Sequence, residues 1–164
     1  MGSKSDLPFA ERIKGFIEKE NFQVECEYVV ASAHRTPDLL IEKLREFEKS
    51  QDDIVIITVA GLSDALSGVV AGSSTYPAVA CPPDIEKHGL AKIFSSVMTP
   101  SGVPVLLAAK PENAALAAVK ILALSNPSLR LQIREYINKK REEVVKANRE
   151  ISGDRYRRLL NCED

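Results

Sequence analysis

The chain has few cysteines, no long apolar run and almost no net charge, and each absence excludes a class of protein. Cys26, Cys81 and Cys162 stand far apart without a C-x-x-C pair, which argues against a disulfide framework or a zinc site. No run of about 18 apolar residues predicts a membrane span, and no signal-peptide segment opens the chain. With 22 basic and 23 acidic residues, a net charge of −1 gives no reason to expect nucleic-acid or membrane binding. We therefore expect a soluble, cytoplasmic protein without a metal site.

Two phosphate-binding signatures are also missing. Neither G-x-G-x-x-G nor G-x-x-x-x-G-K-[ST] occurs, so dinucleotide binding and nucleoside triphosphate hydrolysis lack support. What is present is an alternation of helical and strand patterns over 164 residues, which predicts an α/β fold with a parallel sheet. Helices are expected over 7–20, 37–47, 62–74, 111–124 and 128–149, and strands over 22–30, 54–60, 78–83 and 102–109.

Local signals set the expected helix ends. Asp6 and Thr36 are predicted caps of the first two helices, each followed by a proline that suits a first turn. The helix from Ser128 is long and polar, so it fits either a helix lying across a neighbouring subunit or a solvated surface helix. Its thin apolar stripe consists of Leu129, Ile133, Ile137, Val144 and Val145. We accordingly divide the chain into a domain over 1–126 and a helical extension over 127–164, which ends in a short helix at "DRYRRLL".

Polar loops follow the expected strands at the edge of the sheet where such folds bind ligands. In "SAHRTP", His34 can move a proton near neutral pH, and Ser32 and Arg35 can bind a phosphate; the alternative is a surface histidine that caps a helix. In "AGLSDALSG", Ser63 or Asp64 can cap a helix whose amides attract anions, or can serve as an ordinary cap.

Three further features complete the set of loops. The opening "MGSKSD" offers Ser3, Ser5 and Asp6 to a phosphate and a ribose. The turn "TPSGVP" over 99–104 can close over a ligand. His88 is expected to be structural, and Lys87 and Lys92 are expected to contact solvent.

In this order and spacing, "MGSKSD", "SAHRTP", "AGLSDALSG" and "NAALAAVKILAL" resemble the PurE family, which carboxylates aminoimidazole ribonucleotide in purine biosynthesis. The resemblance runs over residues 1–126 and implies a three-layer, doubly wound, flavodoxin-like fold with a long C-terminal helix. It also implies a homo-oligomer, an octamer or a tetramer, with a mononucleotide substrate and no cofactor. By motif match, His34 moves the proton, and the substrate is bound by Gly2, Ser3, Ser5, Asp6, Ser32, Ala33, Arg35, Ala60, Gly61, Ser63, Asp64, Ser101 and Gly102.

The family has two enzymatic branches, and this sequence resembles one of them more. Mutases, which move a carboxyl group from nitrogen to carbon, carry a second histidine in an "AHLPG"-type stretch, where this chain has Ala65 in "DALSG". "CPP" at 81–83 and "PSG" at 100–102 also resemble the branch that uses carbon dioxide directly, whereas Arg35 and Thr36 resemble the mutases. The direct carboxylase is favoured. The mutase and a non-catalytic mononucleotide-binding module remain as alternatives.

One departure from the family concerns the first residue. Met1 matches the methionine that ends the family's first strand, so that strand is absent from the sequence as given. We expect either that the first several residues of the protein are missing or that the sheet has a groove left open or filled by another segment.

Overall fold

The computed structural model describes residues 1–152, in which helices and short parallel strands alternate. A 3-10 turn at Lys4–Asp6 leads into the first helix. The helices are α1 Leu7–Lys19, α2 Pro37–Phe47, α3 Ala65–Ser73, α4 Ile85–His88, α5 Leu90–Val97, α6 Pro111–Leu122 and α7 Pro127–Ser152, and the strands are β1 Ile56–Thr58, β2 Ala78–Ala80 and β3 Leu106–Leu107. The helix predicted at "DRYRRLL" lies outside the described residues.

The sheet is parallel, in the order β1-β2-β3, with Ile56 opposite Ala78 and Val79 opposite Leu106. Helices α1, α6 and α7 bury one cluster of apolar side chains against it, and α2 and α3 bury another. Since β2 lies between these layers, all three of its residues are buried. The predicted α/β fold with a parallel sheet is confirmed.

The predicted starts of the first two helices are right, but their expected caps are wrong. Helix α3 begins at Ala65, three residues later than predicted, and α4 and α5 were not predicted. Asp6 and Thr36 occupy the N-cap positions of α1 and α2, and neither side chain makes a capping hydrogen bond. Instead, the hydroxyl of Thr36 accepts a hydrogen bond from the Ser32 amide and donates one to the Ser32 carbonyl in the preceding loop. Asp64 does cap α3, since its carboxylate accepts a hydrogen bond of 3.0 Å from the Ser67 amide.

Segment 22–30 was predicted to be a strand, and within residues 1–152 it makes no strand ladder. Its side chains still alternate between the two apolar layers, because Val24 and Cys26 pack on the α1 side and Val29 packs on the α2 side. This alternation is typical of a strand covered on both faces. The segment lacks only a hydrogen-bonding neighbour.

The neighbour's place is an apolar slot of about 720 Å³ between segments 24–29 and 54–59. Met1 and Gly2 close one end of it. The Met1 ammonium donates to the Val29 carbonyl at 2.7 Å, the Ala31 amide donates to the Met1 carbonyl at 3.0 Å, and the Gly2 amide donates to the Val59 carbonyl at 3.0 Å. Consecutive residues that bond to opposite sides follow the pattern of a strand between two parallel neighbours. The expected groove in the sheet is therefore present in residues 1–152.

Helix α7 packs into the core near its beginning, and near its middle Lys139 pairs with Glu20 at 2.7 Å. Leu129 and Ile133 are buried in the α1–α6 layer, and the ring of Tyr136 lies 5.7 Å from those of Phe16 and Phe22. Farther along, Ile137 and Val144 are exposed, at 48% and 70%. No helix within residues 1–152 combines the length and the apolar character needed to cross a membrane.

Candidate active site

Three polar loops begin side by side at the carboxyl edge of the sheet. The hydrogen bonds of Met1 and Gly2 join the first loop to Ala31 on one side and to Val59 on the other. Gly2 also approaches the third loop closely, because a Cβ atom added to it would lie 3.7 Å from that of Ala60. The loops over 2–6, 31–36 and 60–64 thus form one surface at the edge where parallel sheets bind ligands.

The first loop carries one carboxylate, that of Asp6. The hydroxyl of Ser5 donates to that of Ser3 at 2.9 Å, and the Asp6 amide donates to the Ser3 carbonyl at 3.1 Å. The Asp6 carboxylate makes no capping bond and is half-buried. Burial raises the pKa of Asp6 above its usual value, against a lowering by the Ser3 backbone and the Met1 ammonium.

The second loop is closed on itself and presents two basic side chains. The Ser32 amide donates to the Thr36 hydroxyl at 2.9 Å, the Thr36 amide donates to the Ser32 carbonyl at 2.8 Å, and the Arg35 amide donates to the Ser32 hydroxyl at 3.3 Å. Ala33 is partly buried behind the loop, whereas His34 and Arg35 are exposed at its crest. A loop held in this way presents an imidazole and a guanidinium to a ligand without using either in its own structure.

The third loop contains a strained residue. Leu62 adopts a positive φ of 55°, which costs a non-glycine residue about 1–3 kcal/mol. Its amide donates to Asp84 Oδ2 at 2.7 Å, and its carbonyl accepts from Lys92 Nζ at 2.8 Å. Gly61 lies tightly beside the same carboxylate, because a Cβ atom there would be 3.3 Å from Asp84 Oδ2. Residues 83 and 84 thus pack against the third loop at Gly61 and Leu62.

The expectation that Lys92 contacts solvent is wrong. Lys92 is only 2% exposed, and its ammonium also lies 3.9 Å from Asp84 Oδ1. A buried ammonium is tolerated where a carbonyl and a carboxylate compensate its charge, and both are present here. The end of α4 places His88 Nε2 3.6 Å from Asp84 Oδ2.

Direct binding of substrate by Asp64 stays a prediction, and the structure shows its carboxylate in another role. The carboxylate is buried, Oδ1 accepts from the Ser67 amide, and Oδ2 accepts from the hydroxyls of Ser67 and Ser96, both at 2.7 Å. The Ser67 hydroxyl also lies 2.7 Å from that of Thr58 in β1. Asp64 therefore fixes the start of α3, while its neighbour Ser63 is exposed at the loop surface.

The structure places the turn at Ser101 and Gly102 along α3. Both residues are exposed, and Gly102 has a φ of 89° that suits glycine. The flanking residue Thr99 packs at Gly68 of α3, 3.5 Å from the position of a Cβ atom there. No hydrogen bond within residues 1–152 joins this turn to the loops at Ser3 and Ser32, so its contact with a ligand stays a prediction.

Sequence reasoning missed Asp84 and misjudged Lys92. The available signal was spacing, because Asp84, His88 and Lys92 follow one another at intervals of four, which places them on one face of a helix. Gly89, at a φ of 56°, separates α4 from α5 and obscures that pattern.

The titratable groups away from the loops have a different character. Burial raises the pKa of Cys81 to about 12, so its thiol stays protonated and unreactive. Among residues 1–152, no group of three or more His, Cys, Asp or Glu side chains is arranged to hold a metal ion.

Comparison with known proteins gives the same family from sequence and from structure. The family model described as AIR carboxylase matches residues 1–143. Phosphoribosylaminoimidazole carboxylase of Archaeoglobus fulgidus is 42% identical over 151 residues, covering 92% of this chain and 82% of that protein. N5-carboxyaminoimidazole ribonucleotide mutase of Methanocaldococcus jannaschii is 39% identical over 153 residues, covering 92% and 94%.

A solved structure matches over nearly the whole chain. The crystal structure of Treponema denticola PurE superimposes with a TM-score of 0.86 at 32% identity, and the match covers 92% of this chain and 94% of that one. The similar proteins thus carry the names of both enzymatic branches.

Proposed function

This chain belongs to the AIR carboxylase family, the enzymes that form carboxyaminoimidazole ribonucleotide in purine biosynthesis, and on that premise we propose that it uses carbon dioxide directly. The observation that carries this choice is Ala65. It is the first residue of α3 and directly follows the third loop, where the mutase pattern has a histidine. With an alanine at position 65, His34 is the one histidine that the three loops provide.

The proposed reaction needs only one proton transfer. The ring carbon of aminoimidazole ribonucleotide is nucleophilic because the exocyclic amine donates electrons into the ring, so it attacks the carbon of carbon dioxide and forms a carbon–carbon bond. The electron pair of one C=O bond becomes the carboxylate charge, and the same ring carbon then loses its proton to His34. Substrate and carbon dioxide give product and one proton, so the atoms balance without ATP or a cofactor.

The three loops divide the remaining tasks. Ser3, Ser5 and Arg35 bind the phosphate, and the Asp6 carboxylate accepts from a ribose hydroxyl. Ala60 and Gly61 border the imidazole ring, with Gly2, Ser32 and Ala33 forming the floor between the loops and Ser63, Ser101 and Gly102 closing the site. Binding both reactants in line supplies most of the rate enhancement, because the substrate is already reactive.

A product assay separates the two branches. Purified protein is incubated with aminoimidazole ribonucleotide and bicarbonate without ATP, and formation of the carboxylated nucleotide is followed. We expect turnover of this substrate. Turnover of the N-carboxylated nucleotide alone would establish the mutase, and calorimetric binding without turnover of either substrate would establish a binding module.

Replacing the imidazole tests the proposed proton acceptor. His34→Asn is expected to lower kcat by at least about 100-fold, as removal of a general base does, while nucleotide binding is retained. Lys110→Gln, an exposed change before α6, serves as the control. Near-normal turnover by His34→Asn would remove His34 from the mechanism.

The wider setting of the enzyme is part of the same proposal. We place it in the cytoplasm as a homo-oligomer, a tetramer or an octamer, without nucleic-acid or membrane partners. The exposed second half of α7, part of the extension over 127–164, supports the proposed oligomer, because Ile137, Val144 and Val145 form an apolar stripe that residues 1–152 leave uncovered.

A further inference from the structure

We propose that the buried Lys92 is a positioning residue for catalysis, which with Asp84 holds the third loop in a strained conformation that shapes the substrate site. The inference rests on the proposed function and adds residues that the loop motifs do not contain. Lys92 touches no atom expected to react, so it acts through the main chain of Leu62.

Two charged side chains hold one residue of the third loop. Leu62 is held in the left-handed region by two hydrogen bonds, of 2.7 Å from its amide to Asp84 and of 2.8 Å from Lys92 to its carbonyl. Its own side chain is 72% exposed and cannot supply the holding force by packing. The two charged side chains therefore determine the conformation of Leu62.

Helix α5 holds the other end of the same loop. The Ser95 hydroxyl accepts from the Asp64 amide at 2.8 Å, and the Ser96 hydroxyl donates to the Asp64 carboxylate at 2.7 Å. Lys92, Ser95 and Ser96 are spaced i, i+3 and i+4, so one face of α5 holds both ends of the third loop. Each of these groups makes a hydrogen bond to the third loop.

Gly61 connects Leu62 to the proposed substrate site. Gly61 lies between Ala60, which adjoins Gly2 of the first loop, and the carboxylate of Asp84. The charges of Asp84 and Lys92 also act on Asp6, with opposite effects on the Asp6 pKa. A shift of Leu62 would therefore move the main chain at Gly61, where the imidazole ring is proposed to lie, and small displacements of bound reactants lower rates steeply.

The test compares two lysines that differ in burial. Lys92→Met keeps an unbranched side chain of similar length without the ammonium, and Lys87→Met makes the same change at an exposed position of α4. We expect Lys92→Met to lower kcat by about ten-fold or more, with a smaller effect on KM, because positioning acts on the transition state. Lys87→Met is expected to stay within about two-fold of the wild type.

A suppressor variant distinguishes positioning from loss of stability. Glycine adopts a positive φ without strain, so Leu62→Gly needs the hydrogen bonds to Asp84 and Lys92 less. We expect Lys92→Met combined with Leu62→Gly to recover several-fold in kcat over Lys92→Met alone. A merely structural role would lower the melting temperature of Lys92→Met, leave its kcat unchanged and give no recovery.

Ser95→Ala keeps the proposal testable if Lys92→Met does not fold. Ser95 is exposed, and its removal frees only the Asp64 amide. We expect kcat to fall several-fold at an unchanged melting temperature. The inference is overturned if Ser95→Ala and any folded Lys92→Met protein both keep wild-type kcat. Failure of the proposed function is a separate result, because the wild type itself would then turn over neither nucleotide.

Discussion

Asp6 and Asp64 both precede a helix, yet only Asp64 caps one. The Asp64 carboxylate accepts three hydrogen bonds from its own chain, whereas the Asp6 carboxylate makes no capping bond. Sequence predicts both as caps because the residue type and its position before a helix are the same. Ser67 and Ser96 decide the difference, since they bring hydroxyls to Asp64 and no comparable pair reaches Asp6 within residues 1–152.

The raised pKa of Asp6 predicts a pH dependence of nucleotide binding. The ionised carboxylate accepts a ribose hydroxyl more strongly than the protonated acid does, so affinity is expected to fall as the pH drops through the raised pKa of Asp6. Asp6→Asn is expected to weaken binding at neutral pH by about ten-fold and to remove this acidic limb. Calorimetric titration of the nucleotide over a pH series measures both effects.

The matched control is Asp38→Asn, which removes an exposed carboxylate in the first turn of α2. Its pH profile should follow that of the wild type. An acidic limb that persists in Asp6→Asn would show that another group carries the pH dependence.

Among the elements, the first two helices were predicted most accurately, whereas α4 and α5 were missed. Periodicity, a proline in the first turn and a polar residue before it are local signals, so the bounds of α1 and α2 agree with the structure within one residue at their ends. Segment 22–30 has the strand pattern and lacks a ladder, because pairing depends on a neighbour that its own residues do not encode. The burial of Lys92 was equally non-local, since its partner at Leu62 lies 30 residues away.

Helix α7 offers a comparison between successive turns. Ile133 is 7% exposed in the core, and Ile137 is 48% exposed. Ile133→Ala is expected to lower the free energy of unfolding by about 2–5 kcal/mol, whereas Ile137→Ala should change the stability of a single chain by about 0.5 kcal/mol or less. Urea unfolding followed by circular dichroism measures both.

The same pair of variants bears on assembly. If α7 lies across a neighbouring subunit, Ile137→Ala shifts the sedimentation equilibrium towards smaller species. A helix solvated along this face predicts no shift, which would contradict the proposed interface.

For the whole molecule, the slot between segments 24–29 and 54–59 is an opening through the middle of the fold. Its walls belong to both apolar layers, and Met1 and Gly2 already bond to both sides at one end. An extended apolar segment joined to Met1 would continue this hydrogen-bond pattern, pair with both neighbouring segments and bury apolar surface.

A designed extension tests that description. Adding five valine and isoleucine residues before Met1 is expected to raise the melting temperature by at least about 5 °C, since each kcal/mol shifts a domain of this size by about 2–4 °C. A glycine–serine extension of equal length is the control. Equal melting temperatures for the two variants would show that the slot does not accept a strand.

The slot also contains its own chemical reporter. Cys26 lines it and is half-buried, and burial raises the pKa of its thiol. Cys81, directly after β2, is fully buried, and its pKa of about 12 keeps it from reacting. With Cys162 replaced by serine, the alkylation rate of Cys26 measures how accessible the slot is to small molecules. A strand seated beside Cys26 would slow that reaction while the loops at the sheet edge kept their activity. Thiol labelling, compared with enzymatic activity, thus distinguishes strand packing in the middle of the sheet from catalysis at its carboxyl edge.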